Sequence, residues 1–181
     1  MRSMWFPALA AGLALLALST VNAQDIPITG NDSAPALKVS EWIKGEPVKL
    51  EEGKDKKVHV VEFWATWCPP CRESIPHLTE LQKKYKDSVT IIGITDEEAP
   101  LVKEFVKKMG DKMDYRVALD KNQETAKAFD KIAEMPGIPT AYVINKENKV
   151  VWAGHPLDEE FEKVLATLTK DSAKTPESGG A

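Results

Sequence analysis

Cysteine is almost absent: the chain carries two in 181 residues, Cys68 and Cys71. Histidine is nearly as scarce, at His59, His77 and His155. Two thiols and three scattered imidazoles do not form the four-ligand set of a structural zinc site. A purely structural disulfide is also a poor account of the pair. A bridge across two intervening residues closes a small loop and removes little entropy from the unfolded chain. An excess of positive charge is missing too: 24 Lys and Arg stand against 28 Asp and Glu, for a net charge of −4. The lysines are interleaved with glutamates rather than clustered, which argues against nucleic acid as a partner. Long apolar runs are lacking outside the N-terminus, and the one there, Ala8 to Leu18, is shorter than the roughly 20 residues of a membrane-spanning helix.

That N-terminal stretch has the order of a secretory signal: Arg2, then the apolar run, then Val21-Asn22-Ala23 as a small-residue cleavage site before Gln24. Residues 1–23 are therefore expected to be removed, leaving 158 residues, enough for one ordinary domain. Loss of Arg2 leaves 23 basic against 28 acidic residues, a net of −5. An exported chain sits in a compartment that permits disulfides, and redox chemistry is the use of the cysteine pair that remains. The expected organisation is a signal at 1–23, a loose leader at 24–36, one domain at 37–169 and a disordered tail at 170–181.

Within the domain, Lys38 to Leu50 reads as a short hairpin or a turn of helix around Trp42, punctuated by Gly45 and Pro47. Val58 to Ala65 is rich in β-branched and aromatic residues and reads as a buried central strand. A helix follows from Cys71 to Tyr85, with Ile75, Leu78 and Leu81 at helical spacing and a kink expected at Pro76. Val89 to Thr95 has strand length, and Pro100 to Met109 carries an apolar stripe that includes Leu101, stopped by Gly110. Tyr115 to Leu119 reads as a strand, Asn122 to Ala133 as a helix, Ala141 to Ile144 and Val150 to Trp152 as a hairpin, and Leu157 to Thr169 as a closing helix. Strands alternating with helices and ending in a hairpin predict an α/β fold, a mixed sheet with helices on both faces.

A strand running directly into a helix places Cys68 at the helix N-terminus, where free amides and the helix dipole stabilise an anion. The thiolate is the species that attacks a disulfide, so Cys68 is the expected nucleophile and Cys71, one turn on, the resolving thiol. Pro69 and Pro70 fit a first helical turn, since their missing amides would have been unpaired, but they also withdraw donors from the thiolate. No histidine or lysine lies between the cysteines. The pair thus lacks what makes a strong oxidant, a stabilised reduced form, and is expected to act as a reductant.

Phe63-Trp64-Ala65-Thr66-Trp67-Cys68-Pro69-Pro70-Cys71-Arg72, with Gly137-Ile138-Pro139-Thr140 further on, resembles a TlpA/ResA-type member of the thioredoxin superfamily, a redoxin/AhpC-TSA-like domain. The resemblance spans about Ala34 to Leu168 and implies a thioredoxin-like fold with a helix and strand inserted at about 97–119. It further implies a periplasmic or otherwise extracytoplasmic protein that reduces disulfides in protein substrates, apocytochrome c among them. A membrane thiol-electron donor would re-reduce it, and neither a cofactor nor a metal is implied. By the same resemblance Pro139 is cis, Ile138 offers its backbone to a partner strand, and Thr140 belongs to that substrate-binding loop. Trp67 reads either as core and rim packing, like Trp64, or as a shield over Cys68. Glu62 occupies the position of a buried acid beneath the second cysteine. A buried carboxyl can take the Cys71 proton near neutral pH; the alternative is that Glu62 faces water on a half-exposed strand. Two departures stand out: Ser74 replaces a glutamate common in ResA-like proteins, with Glu73 turned about 100° away. Asp130 to Pro136 is also long, which gives Met135 a place in partner choice. His155, in the last loop, reads as solvated.

Rival functions differ in what they need. A disulfide oxidase or isomerase shares the motif and differs only in potential. A thiol peroxidase needs a threonine and cysteine in another spacing, and a copper-delivery module needs three residues between its cysteines, where this chain has two, together with a histidine placed to join them. A non-catalytic binding module would keep an inert disulfide.

Overall fold

A computed structural model describes residues 32–50, 56–135 and 137–170. The expected signal, residues 24–31 of the leader and residues 171–181 of the tail lie outside them. The described chain forms β1 (Val39–Lys44), β2 (Val58–Phe63), α1 (Pro69–Lys84), β3 (Val89–Thr95), α2 (Ala99–Met109), β4 (Arg116–Asp120), α3 (Glu124–Asp130), β5 (Thr140–Ile144), β6 (Val150–Gly154) and α4 (Glu159–Lys170). The strands make one mixed sheet in the order β1-β4-β3-β2-β5-β6. β2, β3 and β4 run parallel, and β1, β5 and β6 pair antiparallel to their neighbours.

All six residues of β2 and all seven of β3 are buried, as strands covered on both faces must be. Alternation along β2 sorts its side chains. Val58, Val60 and Trp64 join a core with Ile75 and Leu78 of α1, Val102 of α2 and Phe161 of α4. Val61 and Phe63 face the other way, into a second core with Phe129 of α3 and Tyr142. Phe63, Phe129 and Tyr142 meet edge to face, with centroids 5.0–5.9 Å apart. This is the thioredoxin-like fold, and helix α2 with strand β4 occupies the region where the insertion was expected.

Three local expectations need correction. Lys38 to Leu50 makes neither a hairpin nor a helical turn: Val39–Lys44 is an edge strand whose partner is β4, so its pairing is with distant sequence that no local pattern specifies. The third helix is shorter than Asn122 to Ala133. Asn122 and Gln123 are left-handed (φ 54° and 59°), and the Asp120 carboxylate accepts bonds from Thr125 N and Ala126 N at 2.9 Å, which starts the helix at Glu124. Leu157 and Leu101 are exposed rather than buried on their helical stripes. α4 begins only at Glu159, after a turn in which Leu157 N donates to His155 Nδ1 and His155 N to Asp158 Oδ2. Pro76 lies inside α1, which continues on both sides of it. The described end of the leader is seated on the hairpin, with Ala34 N donating to Asn148 O and Val150 N to Asp32 O.

Candidate active site

Strand β2 ends at Phe63, and five residues carry the chain to Pro69 at the head of α1. The prolines take the first two helical positions, which leaves Cys68 as the N-cap in an extended conformation (φ −85°, ψ 108°). The amide of Cys71, the first in the helix able to turn back, donates to Cys68 Sγ at 3.2 Å. A donor aimed at that sulfur, backed by the helix dipole, lowers the energy of a negative charge there. Cys68 and Cys71 form a disulfide, with sulfurs 2.06 Å apart. Cys71 is fully buried and Cys68 nearly so, beneath the exposed rings of Pro69 and Pro70.

The loop ahead of Cys68 is held from the side. Thr66 donates its backbone N–H and its hydroxyl to the two carboxylate oxygens of Glu97, each at 2.7 Å, and Thr95 Oγ1 donates to the same carboxylate at 3.2 Å. Glu97 sits just past the end of β3, and parallel pairing of β2 with β3 brings it level with the loop. Sequence reasoning missed this clamp; its one signal is an acid at the carboxyl end of a wholly buried strand. Trp67 is 70% exposed, so it is no part of the core. It borders an apolar groove with Phe63, Ile94 and Ile138, rimmed by Asp96 and Gln123.

From the opposite side comes the loop before β5. The Ile138–Pro139 bond is cis, Gly137 supplies a φ of 138° that side chains rarely adopt, and Thr140 Oγ1 donates to the Gly137 carbonyl. Cys68 Sγ lies 3.8 Å from the Ile138 carbonyl oxygen. Cys68, Ile138 and Pro139 are thus brought together. Met135 packs at the edge of the second core, while His155 shapes the turn before α4. Ser74 is buried, and its hydroxyl donates to the Cys71 carbonyl at 2.9 Å, a bond within the helix. Glu73 is exposed.

Glu62 is fully buried, which removes the alternative of a half-exposed strand position. Neither of its carboxylate oxygens has a hydrogen-bond partner, and desolvation pushes its pKa up to about 8 from the usual 4.5. Alternation along β2 turns it toward the face covered by α1, the face of the core that contains Cys71. Tyr115, just ahead of β4, is buried too, and its phenol is raised well above its usual value by burial and then by the Glu62 charge. Among the described residues, no group of three or more His, Cys, Asp or Glu is gathered to hold a metal ion.

A vicinal cysteine pair at a helix N-terminus, with a second backbone segment within reach of its outer sulfur, is equipped for one class of chemistry, dithiol/disulfide exchange. Comparison with known proteins agrees. The Redoxin family model matches residues 29–168, and the chain belongs to that family. It is 35% identical over 140 residues to the thiol-disulfide oxidoreductase ResA of Bacillus thuringiensis subsp. konkukian, covering 75% of this chain and 76% of the relative. Against the thioredoxin-like protein YneN of Bacillus subtilis the identity is 27% over 150 residues, covering 81% and 84%. The crystal structure of a thiol:disulfide interchange protein of the thioredoxin family from Chlorobium tepidum superposes with a TM-score of 0.63 at 29% identity, over 77% of this chain and 97% of that one. The protein is a thiol:disulfide oxidoreductase that acts on disulfide-containing substrates.

Proposed function

We propose that the protein works outside the cytoplasm as a disulfide reductase, after removal of its first 23 residues. The observation that carries the direction of electron flow is the composition of the N-cap. One amide, that of Cys71, faces Cys68 Sγ at 3.2 Å, while Pro69 and Pro70 contribute no amide and no charge. The reduced form is stabilised enough to react, but it lacks the extra donors and cations of a strong oxidant.

In this mechanism the Cys68 thiolate attacks a substrate disulfide, forming a mixed disulfide and releasing one substrate thiol. The substrate strand pairs with the backbone at Ile138, beside Cys68, and Trp67 closes over the apolar groove next to it. Cys71 passes its proton to the Glu62 carboxylate and attacks Cys68 Sγ, so that the second substrate thiol leaves and the Cys68–Cys71 disulfide forms. Two electrons have moved to the substrate. A membrane thiol-electron donor restores the dithiol, and apocytochrome c is a fitting substrate by likeness to ResA-type proteins.

Two measurements test this. In Cys71→Ala, a mixed disulfide through Cys68 accumulates with a disulfide-bonded substrate such as insulin and disappears in Cys68→Ser. The potential, from equilibration against glutathione and dithiothreitol, is expected near about −270 mV; a value near about −120 mV assigns the protein to disulfide formation instead.

A further inference from the structure

Among the described residues, the buried side-chain nitrogen and oxygen atoms left without a hydrogen-bond partner number four, and they belong to three residues: both Glu62 oxygens, Trp64 Nε1 and Tyr115 Oη. They are not scattered. Gly93 is the parallel-register partner of Glu62, and a side-chain carbon built on it would lie 3.0 Å from Trp64 Nε1 and 3.0 Å from the Tyr115 ring. The indole nitrogen and the phenol ring therefore flank the bare backbone at Gly93, and the Tyr115 phenol responds to the Glu62 charge. Buried polar groups in folded proteins are almost always paired, with protein or with held water, so four such atoms in one place mark a site for water.

We propose that Trp64 Nε1 and Tyr115 Oη hold water against the Glu62 carboxyl, making Tyr115 a positioning residue for the acid that exchanges a proton with Cys71. The inference rests on the reductase mechanism above for its catalytic meaning, but not for its geometry. Tyr115 lies in the inserted segment, and Phe105 of inserted helix α2 packs against Trp64 with centroids 5.3 Å apart and the rings tilted by 40°. The insertion thus brings a phenol to the buried polar atoms around Gly93 as well as widening the sheet.

This arrangement answers a specific need. Glu62 must ionise to receive the Cys71 proton, and burial alone opposes that. Around it, β3 and β5 present Gly93 and Ala141 in register, α1 presents Cys71, and the segment before β4 presents Tyr115. None of these carries a positive charge. Donors from Trp64 and Tyr115, relayed by water, are what this environment provides to the carboxylate, and removing one raises the proton affinity of Glu62.

The test is a titration of the Glu62 side-chain carboxyl by carbon-13 NMR in the oxidised full chain, where neither cysteine bears a proton, for wild type and Tyr115→Phe. The expected result is a midpoint higher by about one pH unit in Tyr115→Phe, equivalent to losing one hydrogen bond to a charged group. A second measurement needs no variant: Trp64 Hε1 in the wild type should show a cross-relaxation peak to long-lived water. An unchanged midpoint in folded Tyr115→Phe overturns the proposal, as does a missing water peak, which decides the matter alone if the variant does not fold. If the midpoint stays put while disulfide reduction persists, only this inference fails. If the midpoint moves but the potential proves strongly oxidising, only the direction of electron flow is lost.

Discussion

Replacing Glu62 with glutamine should make the protein more stable, by an amount that depends on pH in a defined way. Glu62 is fully buried with no hydrogen bond from another protein group, and its pKa in the fold is about 8 against the usual 4.5 in the unfolded chain. Below the lower value the carboxyl is neutral in both states and costs the fold nothing in ionisation. As pH rises, the unfolded chain releases the proton while the folded chain retains it, so stability falls with increasing pH until the folded pKa is passed, and is level above it. Each pH unit in that window is worth about 1.4 kcal/mol. The cost is therefore about 3 kcal/mol near pH 7 and about 5 kcal/mol on the plateau. Glutamine removes the ionisation but keeps the shape. The stability gap between Glu62→Gln and wild type should widen by about 4 kcal/mol from about pH 5 to about pH 8, or roughly 10 °C in melting temperature for a domain of this size. Urea and thermal melts of both oxidised proteins across that range measure it, and taking the difference cancels every other titrating group. A gap that stays constant with pH would refute the argument, because it would mean that Glu62 ionises in the fold as easily as outside it.

Other consequences follow from the same geometry. Glu97→Ala frees the backbone and hydroxyl of Thr66 and should cost about 1–2 kcal/mol in chemical denaturation, with a raised KM for a protein disulfide, while Glu97→Gln recovers part of both. Trp67→Ala removes an exposed ring, so its unfolding free energy in urea melts should stay within about 0.5 kcal/mol of wild type, whereas kcat/KM for a protein substrate falls by about tenfold. Gly93→Ala pushes a methyl group toward the indole and phenol rings and should cost about 1–3 kcal/mol, visible in urea melts together with a changed Trp64 fluorescence.

What could be read from the amino-acid order was what local chemistry determines. The largely apolar strand before Cys68, the prolines suited to a first helical turn, and two cysteines one turn apart specify a thiol at a helix N-terminus, because strand period, proline geometry and helix pitch act over a few residues. The alternation of strands and helices then specified a mixed sheet. Beyond that range the sequence was silent or misleading. Trp42 looked like the centre of a local turn, yet its strand pairs with β4, and the third helix looked longer than the Asp120 cap permits. Whether Glu62 met water or protein depended on which helices cover β2, and that is a matter of packing. Glu97 reaches Thr66, and Tyr115 reaches the neighbourhood of Glu62, only because parallel strands joined by helical crossovers align the ends of distant segments. The sequence by itself determined the reactive pair and the class of fold, since both are encoded in neighbouring residues. Only the tertiary structure decided the surroundings that govern protons and partners, since burial and long-range contact arise from the whole chain.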